Sequence, residues 1–433
     1  MVRVSPLSNR VRTPESPGPD AVTNPVGSLL PLRSGKTYFS AFVFVLLSDM
    51  AISPIIDSMN ERERFITTLT FKQPDKIPMQ TMGPRESTLK AWSSQGMDRH
   101  SNWFKALCRK IGVTYDFPEK PFIDPGIDLR MIPQYEEKIL SHEKEHYILQ
   151  DWMGNVIEIS DTYDATYIRS AKDFVTRRWI RFPVENQVDF QEMKKRYNPD
   201  SEGRFSPDFT QKAQQLKERD YPLTIQVNGP FWQMREWCGF EPLCMMFLDD
   251  PDFIGDMSAF WKDYIKEMLS RTFEKIIPDR LHMSEDMAYK GASMISPAMA
   301  EKHLKPSWET WAGLARDAGI PVIDMDSDGN IDELIPLWID AGINCCDPIE
   351  VAAGCDITAY REQFGTQMAF TGGIDKRAIA VGGSAIDKEM DRIAPVCESG
   401  GYIPGCDHGI PADVSWQNMV HFGRLWAELT GWL

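Results

Sequence analysis

The 433-residue chain has eight cysteines but no Cys-x-x-Cys pair and no zinc-finger spacing, and Cys345 and Cys346 are adjacent. That usage argues against a disulfide framework and fits reduced thiols in a cytoplasmic protein. Neither a Gly-x-Gly-x-x-Gly nor a Walker sequence occurs, so nothing points to a nucleotide site. No basic stripe occurs either, and the formal net charge is -16. Both argue against a nucleic-acid binder. The longest early apolar run, Tyr38 to Leu47, is broken by Ser48 and Asp49, well short of a membrane span.

What remains suits a globular enzyme with a large core: 42% of residues are hydrophobic and 25% charged. Residues 1–58 differ from the rest, with six prolines in the first 36 positions. Arg33 and Lys36 ahead of the apolar run would suit a signal peptide, but one that starts unusually late. The segment reads instead as a disordered extension or a mis-assigned start, with translation beginning at Met59.

From Met59 a short helix (61–70) leads to an expected first strand, Lys76 to Gln80. Residues 83–200 are less regular, rich in aromatics and proline, with a hairpin expected over Gln150 to Ile159. After residue 220 the rhythm is plain: a strand over Tyr221 to Asn228, a long helix over Asp252 to Ile276, and a strand over Leu281 to Asp286. Gly319, Gly342 and Gly365 then follow at intervals of 23 residues, each placed to end a helix in the left-handed conformation before a strand. About seven parallel βα units are implied, which favours a single (β/α)8 TIM-type barrel over residues 59–433, with an elaborated N-terminal third.

In such a barrel the residues after each strand share one face. In chain order these are Arg85, Asn228, Glu285 and Asp286, Asp324, Asp326 and Asp328, Asp347 and Glu350, Asp375, then Cys406, Asp407 and His408. The expectation is an acidic mouth, in which crowded carboxylates raise one another's pKa or hold a divalent cation. Glu285, Asp286 and His408 are the candidate catalytic acids. Glu350 and Asp375 read as helix N-terminal charges, and His282 as a hydrogen-bonded core histidine. Convergence of His408, Cys406 and Glu285 within hydrogen-bond reach would favour an enzyme over a non-enzymatic or sugar-binding module.

Several stretches together resemble one family. Met59-Asn-Glu-Arg-Glu-Arg-Phe and Phe71-Lys-Gln-Pro-Asp-Lys-Ile-Pro are similar to the opening of uroporphyrinogen decarboxylase-like proteins. Glu285-Asp-Met-Ala-Tyr-Lys-Gly, Asp326-Ser-Asp-Gly-Asn, Thr371-Gly-Gly-Ile-Asp-Lys and Gly400-Gly-Tyr-Ile-Pro…Asp407-His-Gly-Ile-Pro extend the likeness to the C-terminus. The resemblance implies one (β/α)8 barrel and either of two chemistries. Uroporphyrinogen decarboxylases remove acetate carboxyls from a tetrapyrrole without a cofactor. Corrinoid methyltransferases move a methyl group to or from cobalamin, often with zinc.

The sequence departs from both patterns. Where the decarboxylases carry paired arginines for a carboxylate-rich substrate, it has Thr81-Met-Gly-Pro-Arg85-Glu86. Their pyrrole-binding aspartate is matched loosely by Asp124 or Asp128, and their late histidine by His408. Where zinc methyltransferases carry a His-x-Cys turn and a late cysteine, it has Asp326-Ser-Asp328 and Cys406, a harder donor set unsuited to a thiol acceptor.

The reading that follows is a methyltransferase taking methyl from a small O- or N-methylated compound to a corrinoid carried on a partner protein. The alternative is a cofactor-free decarboxylase of a porphyrinogen or other small acid. Substrate binding falls to Arg85, Asn228, Asp124, Asp128 and Tyr402, and a divalent metal such as zinc to Asp326, Asp328 and Cys406. A homodimer is left open, and neither nucleic acid nor membrane is expected.

Overall fold

The computed structural model describes residues 58–98, 100–115, 125–162 and 175–433. The expectations for residues 1–57 and for Asp124 lie outside these. Among the described residues no helix is long and apolar enough to cross a membrane.

Helix α1 (Glu61–Leu69) starts on a reciprocal cap: Asn60 accepts from the Glu63 amide while Glu63 accepts from the Asn60 amide. Helices α2 (Glu86–Ser94) and α3 (Trp103–Ile111) follow. A four-stranded antiparallel sheet comes next: β1 (Lys138–Glu143), β2 (His146–Gln150), β3 (Val156–Ser160) and β4 (Arg177–Arg181). The expected hairpin is its β2–β3 pair, with Gln150 opposite Val156. Helices α4 (Gln187–Lys194) and α5 (Phe209–Leu216) lead to β5 (Thr224–Asn228).

The chain then alternates. Helices α6 (Pro230–Cys238), α7 (Phe240–Asp249) and α8 (Pro251–Phe273) separate β5 from β6 (Arg280–Ser284). A small hairpin, β7 (Ala288–Tyr289) with β8 (Ala292–Ser293), precedes α9 (Pro297–His303), α10 (Lys305–Asp317) and β9 (Val322–Asp326). Next come α11 (Ile335–Asp340), β10 (Cys345–Asp347), α12 (Ile357–Phe364), β11 (Ala369–Ile374), α13 (Lys376–Val381) and α14 (Ser384–Glu398). Strand β12 (Tyr402–Cys406) and α15 (Trp416–Leu429) complete the chain.

The central sheet is parallel and runs β12-β11-β10-β9-β6-β5. Six strands are paired, fewer than the units expected, and the ladder does not close into a ring among the described residues. The expected strand at 76–80 is absent for a chemical reason. Pro78 lacks the amide that a ladder needs, and the segment that follows meets the 402–411 stretch through isolated contacts. Thr81 Oγ1 accepts from the Cys406 amide at 2.8 Å, and Pro84 bridges Ile410. Two of the three spaced glycines keep to the expected role, with φ of 81° at Gly319 and 89° at Gly342. Gly365 ends α12 with φ 56° and ψ -123°, a positive φ outside the left-handed helical region.

Alternation along the strands sorts the sheet into two faces. One face packs Leu281, Met283, Met325, Cys346 and Phe370 into the main core with the helices. The other begins apolar: Val322, Cys345, Ala369 and Ile403 meet Phe65 and Leu69 of α1, which seal the N-terminal end. Farther along, the same face turns polar.

Candidate functional site

The polar part of that face is a buried charge network. Arg280 of β6 donates to Asp324 of β9 at 2.9 Å and to Asp347 of β10 at 2.8 Å. His282, two residues on, places Nδ1 2.5 Å from Asp324 Oδ2 and Nε2 3.7 Å from Asp326 Oδ2. Thr371 of β11 donates to Asp347 at 3.2 Å. Burial would push the Asp324 carboxyl up, but Arg280 and His282 together hold it well below the usual range. Burial and the neighbouring Asp324 push Asp347 up instead. Burial and Arg280 disfavour a charged His282, yet its bonds to Asp324 and Asp326 outweigh them and raise it to about 9. The expectation of a hydrogen-bonded core histidine describes His282 well.

Glu285 is fully buried and acts as a helix cap. Its Oε2 accepts the Phe231 and Trp232 amides at the start of α6, at 2.9 and 3.1 Å, and its Oε1 accepts the Trp308 indole at 2.5 Å. Burial pushes its carboxyl up to about 8 against the pull of those three donors. With no exposed surface, it does not present a proton at the mouth. Asp286, at φ 43°, pairs with Arg235 at 2.8 Å.

Three of the other strand-end acids are also matched with cations. Asp328 meets His408 Nε2 at 3.0 Å, Asp407 meets Lys376 at 3.1 Å, and Asp375 caps α13 and pairs with Arg377. Glu350 accepts the Gly329 amide at 2.8 Å. Much of the acidic mouth is therefore neutralised by paired cations, while Glu350 is held by a backbone amide. Burial disfavours a charged His408, but Asp328 and Asp407 raise it to about 9, and its buried Nδ1 has no hydrogen-bond partner.

Cys406 is buried in the main core, and burial pushes its thiol up to about 12. It does not meet Glu285 or His408, so that expected convergence is not found. Nor do Asp326, Asp328 and Cys406 gather as metal ligands. The group close enough to hold an ion is His282, Asp324 and Asp347, and there the Arg280 guanidinium already supplies the positive charge. The residues present do not fit a zinc site of the expected kind. Tyr402 is buried too, its hydroxyl donating to the Gly372 carbonyl at 2.7 Å. Arg85 precedes α2 beside the 406–411 loop, its amide donating to the Ile410 carbonyl at 3.1 Å.

A cavity lies elsewhere, against edge strand β5. It measures about 550 Å³, within the range of small-molecule sites. Of the expected binding residues, Asn228 and Asp128 line it. Ile127, Leu129 and Met131 supply apolar wall, with Trp152, Tyr197 and Trp261 the aromatic part. The charged lining is Asp128, Arg130 and Glu236, and Asp128 and Arg130 pair with each other at 2.9 Å.

Glu236 was not singled out from the sequence. It lies on α6 one turn beyond Gln233, and both face Asn228. The Asn228 amide donates to Gln233 at 3.1 Å and to Glu236 at 3.3 Å, while the Trp232 indole donates to Glu236 at 2.8 Å. Burial pushes the Glu236 carboxyl up to about 7, opposed by Trp232 and Arg235. The available signal was the Asn-Gly-Pro strand end followed by Gln-x-x-Glu, which puts two polar side chains on one helix face.

Residues 179–428 match the family described as uroporphyrinogen decarboxylase (URO-D). No curated protein matches the chain. Among solved structures, a methyltransferase from Methanosarcina mazei is similar, with a TM-score of 0.51 at 12% identity over 86% of this chain and 99% of that chain. At that identity the likeness is one of fold.

Proposed function

The chain belongs to the uroporphyrinogen decarboxylase family, and from that premise we propose that it is a methyltransferase. Its parallel sheet would be the wall of a (β/α)8 barrel. A small O- or N-methylated compound would occupy the cavity beside β5, and the methyl acceptor would be a corrinoid carried by a partner protein. When bound, such an acceptor would supply the electron pair that attacks the methyl carbon and displaces the oxygen or nitrogen leaving group. This chain's part is to bind the donor, orient its methyl group and exclude water.

The observation that carries this reading is the charge of the cavity. Among the described residues one arginine lines it, and that arginine is already paired with Asp128. A carboxylate-rich tetrapyrrole would need several cations there. A small neutral or cationic compound would not. A cavity of about 550 Å³ is also too small to enclose a corrinoid, which agrees with an acceptor offered from outside.

The second reading is decarboxylation of a porphyrinogen or other small acid, and Asp128 favours it. Its carboxylate lines the cavity, as a pyrrole-binding group would. Anaerobic incubation with cob(I)alamin and a pool of methoxylated and N-methylated donors separates the two. Methylcobalamin formation supports methyl transfer. Turnover of uroporphyrinogen without it restores the decarboxylase.

A further inference from the structure

Resting on the methyltransferase reading, we propose that Glu236 is the proton donor of the cavity and that the donor substrate is an uncharged methyl ether. The geometry puts its carboxyl in the wall of the cavity. Trp232 and Asn228 donate to its two oxygens and fix its position. Trp152, Tyr197 and Trp261 supply aromatic, apolar wall against which an aromatic ring can pack. The groups that act on its charge are Arg235 on its own helix and Asp151 from the β2–β3 turn, of opposite sign. Asp128 and Arg130 share the cavity but neutralise each other. A carboxyl raised by burial to about 7 is part protonated at neutral pH, the condition a general acid requires.

The reaction balances with these groups alone. The methyl C–O bond breaks, and the carbon takes up the acceptor's electron pair. The ether oxygen keeps the bonding pair and receives the Glu236 proton, leaving an alcohol or phenol and a carboxylate that water reprotonates. A quaternary ammonium donor departs as a neutral amine and has no use for such a proton. That difference selects oxygen donors.

Two measurements on the full chain test this. Binding of 1,4-dimethoxybenzene, followed by tryptophan fluorescence, should weaken several-fold as pH rises through neutrality, because the ionised carboxylate can no longer donate to the ether oxygen. Glu236→Gln, whose amide still donates, should bind within about threefold of wild type and lose that pH dependence. With cob(I)alamin as acceptor, Glu236→Gln should slow transfer from 1,4-dimethoxybenzene by about 10²–10⁴. Transfer from 4-nitroanisole, whose leaving oxygen needs little protonation, should fall far less.

Equal slowing of both ethers, or binding that does not respond to pH, would overturn the assignment of Glu236. Tetramethylammonium as the one working donor would overturn the ether while leaving methyl transfer intact. Uroporphyrinogen turnover with no methyl transfer from any donor would overturn both.

Discussion

Gly229 and Glu285 compete for one space: a Cβ built on Gly229 would lie 2.1 Å from the Glu285 carboxyl carbon. The missing side chain lets the carboxylate sit on the first amides of α6. Glu285→Ala should leave the Phe231 and Trp232 amides and the Trp308 indole without their acceptor, at a cost of about 2–4 kcal/mol in chemical denaturation. Gly229→Ala should destabilise through the clash. The Glu285 proton is held in the fold to about pH 8 and released by the unfolded chain above 4.5. Stability from this group therefore falls as pH rises between those values, and Glu285→Gln should remove that part of the slope.

His282 and His408 act with the same sign farther up the scale. Both are raised to about 9 from 6.5. Their contribution is complete below pH 6.5, where both states bind the proton, and is lost as pH approaches 9. The thermal midpoint should fall across that window. The fall should be shallower in His408→Gln and in Asp328→Asn, which removes the partner at 3.0 Å.

Arg280 is the cation on which Asp324 and Asp347 depend. Arg280→Met should cost about 3–5 kcal/mol, because it strands buried carboxylates. Adding Asp347→Asn to that variant should recover part of the loss. An equal loss in both would show that Arg280 matters by packing alone.

Asn228 holds Gln233 and Glu236 from one amide. Asn228→Ala should free both side chains and weaken donor binding by about tenfold, or ~1.4 kcal/mol. Isothermal titration with 1,4-dimethoxybenzene checks it.

Much of the architecture was legible because glycine spacing and alternating apolar strands report directly on βα units. The strand at 76–80 was not, because apolar content suggested pairing that the missing Pro78 amide disfavours. The site was harder. Reading strand ends as one acidic rim located Asp286, Asp328 and Asp407 but missed their partners Arg235, His408 and Lys376, since pairing depends on positions far apart in the chain. His408 was named as an acid rather than as a partner. Arg280 was overlooked at the N-terminal end of its strand, although its alternation with His282 and Ser284 puts all three on one face. Glu236 lay on a helix, outside the rim searched.

The central claim, methyl transfer, is tested most directly by mixing the anaerobic protein with cob(I)alamin and 1,4-dimethoxybenzene and recording the cobalamin spectrum. The account predicts conversion to methylcobalamin with release of 4-methoxyphenol, much slowed in Glu236→Gln. An unchanged spectrum with every methoxylated and N-methylated donor, alongside loss of carboxyl groups from uroporphyrinogen, would contradict it.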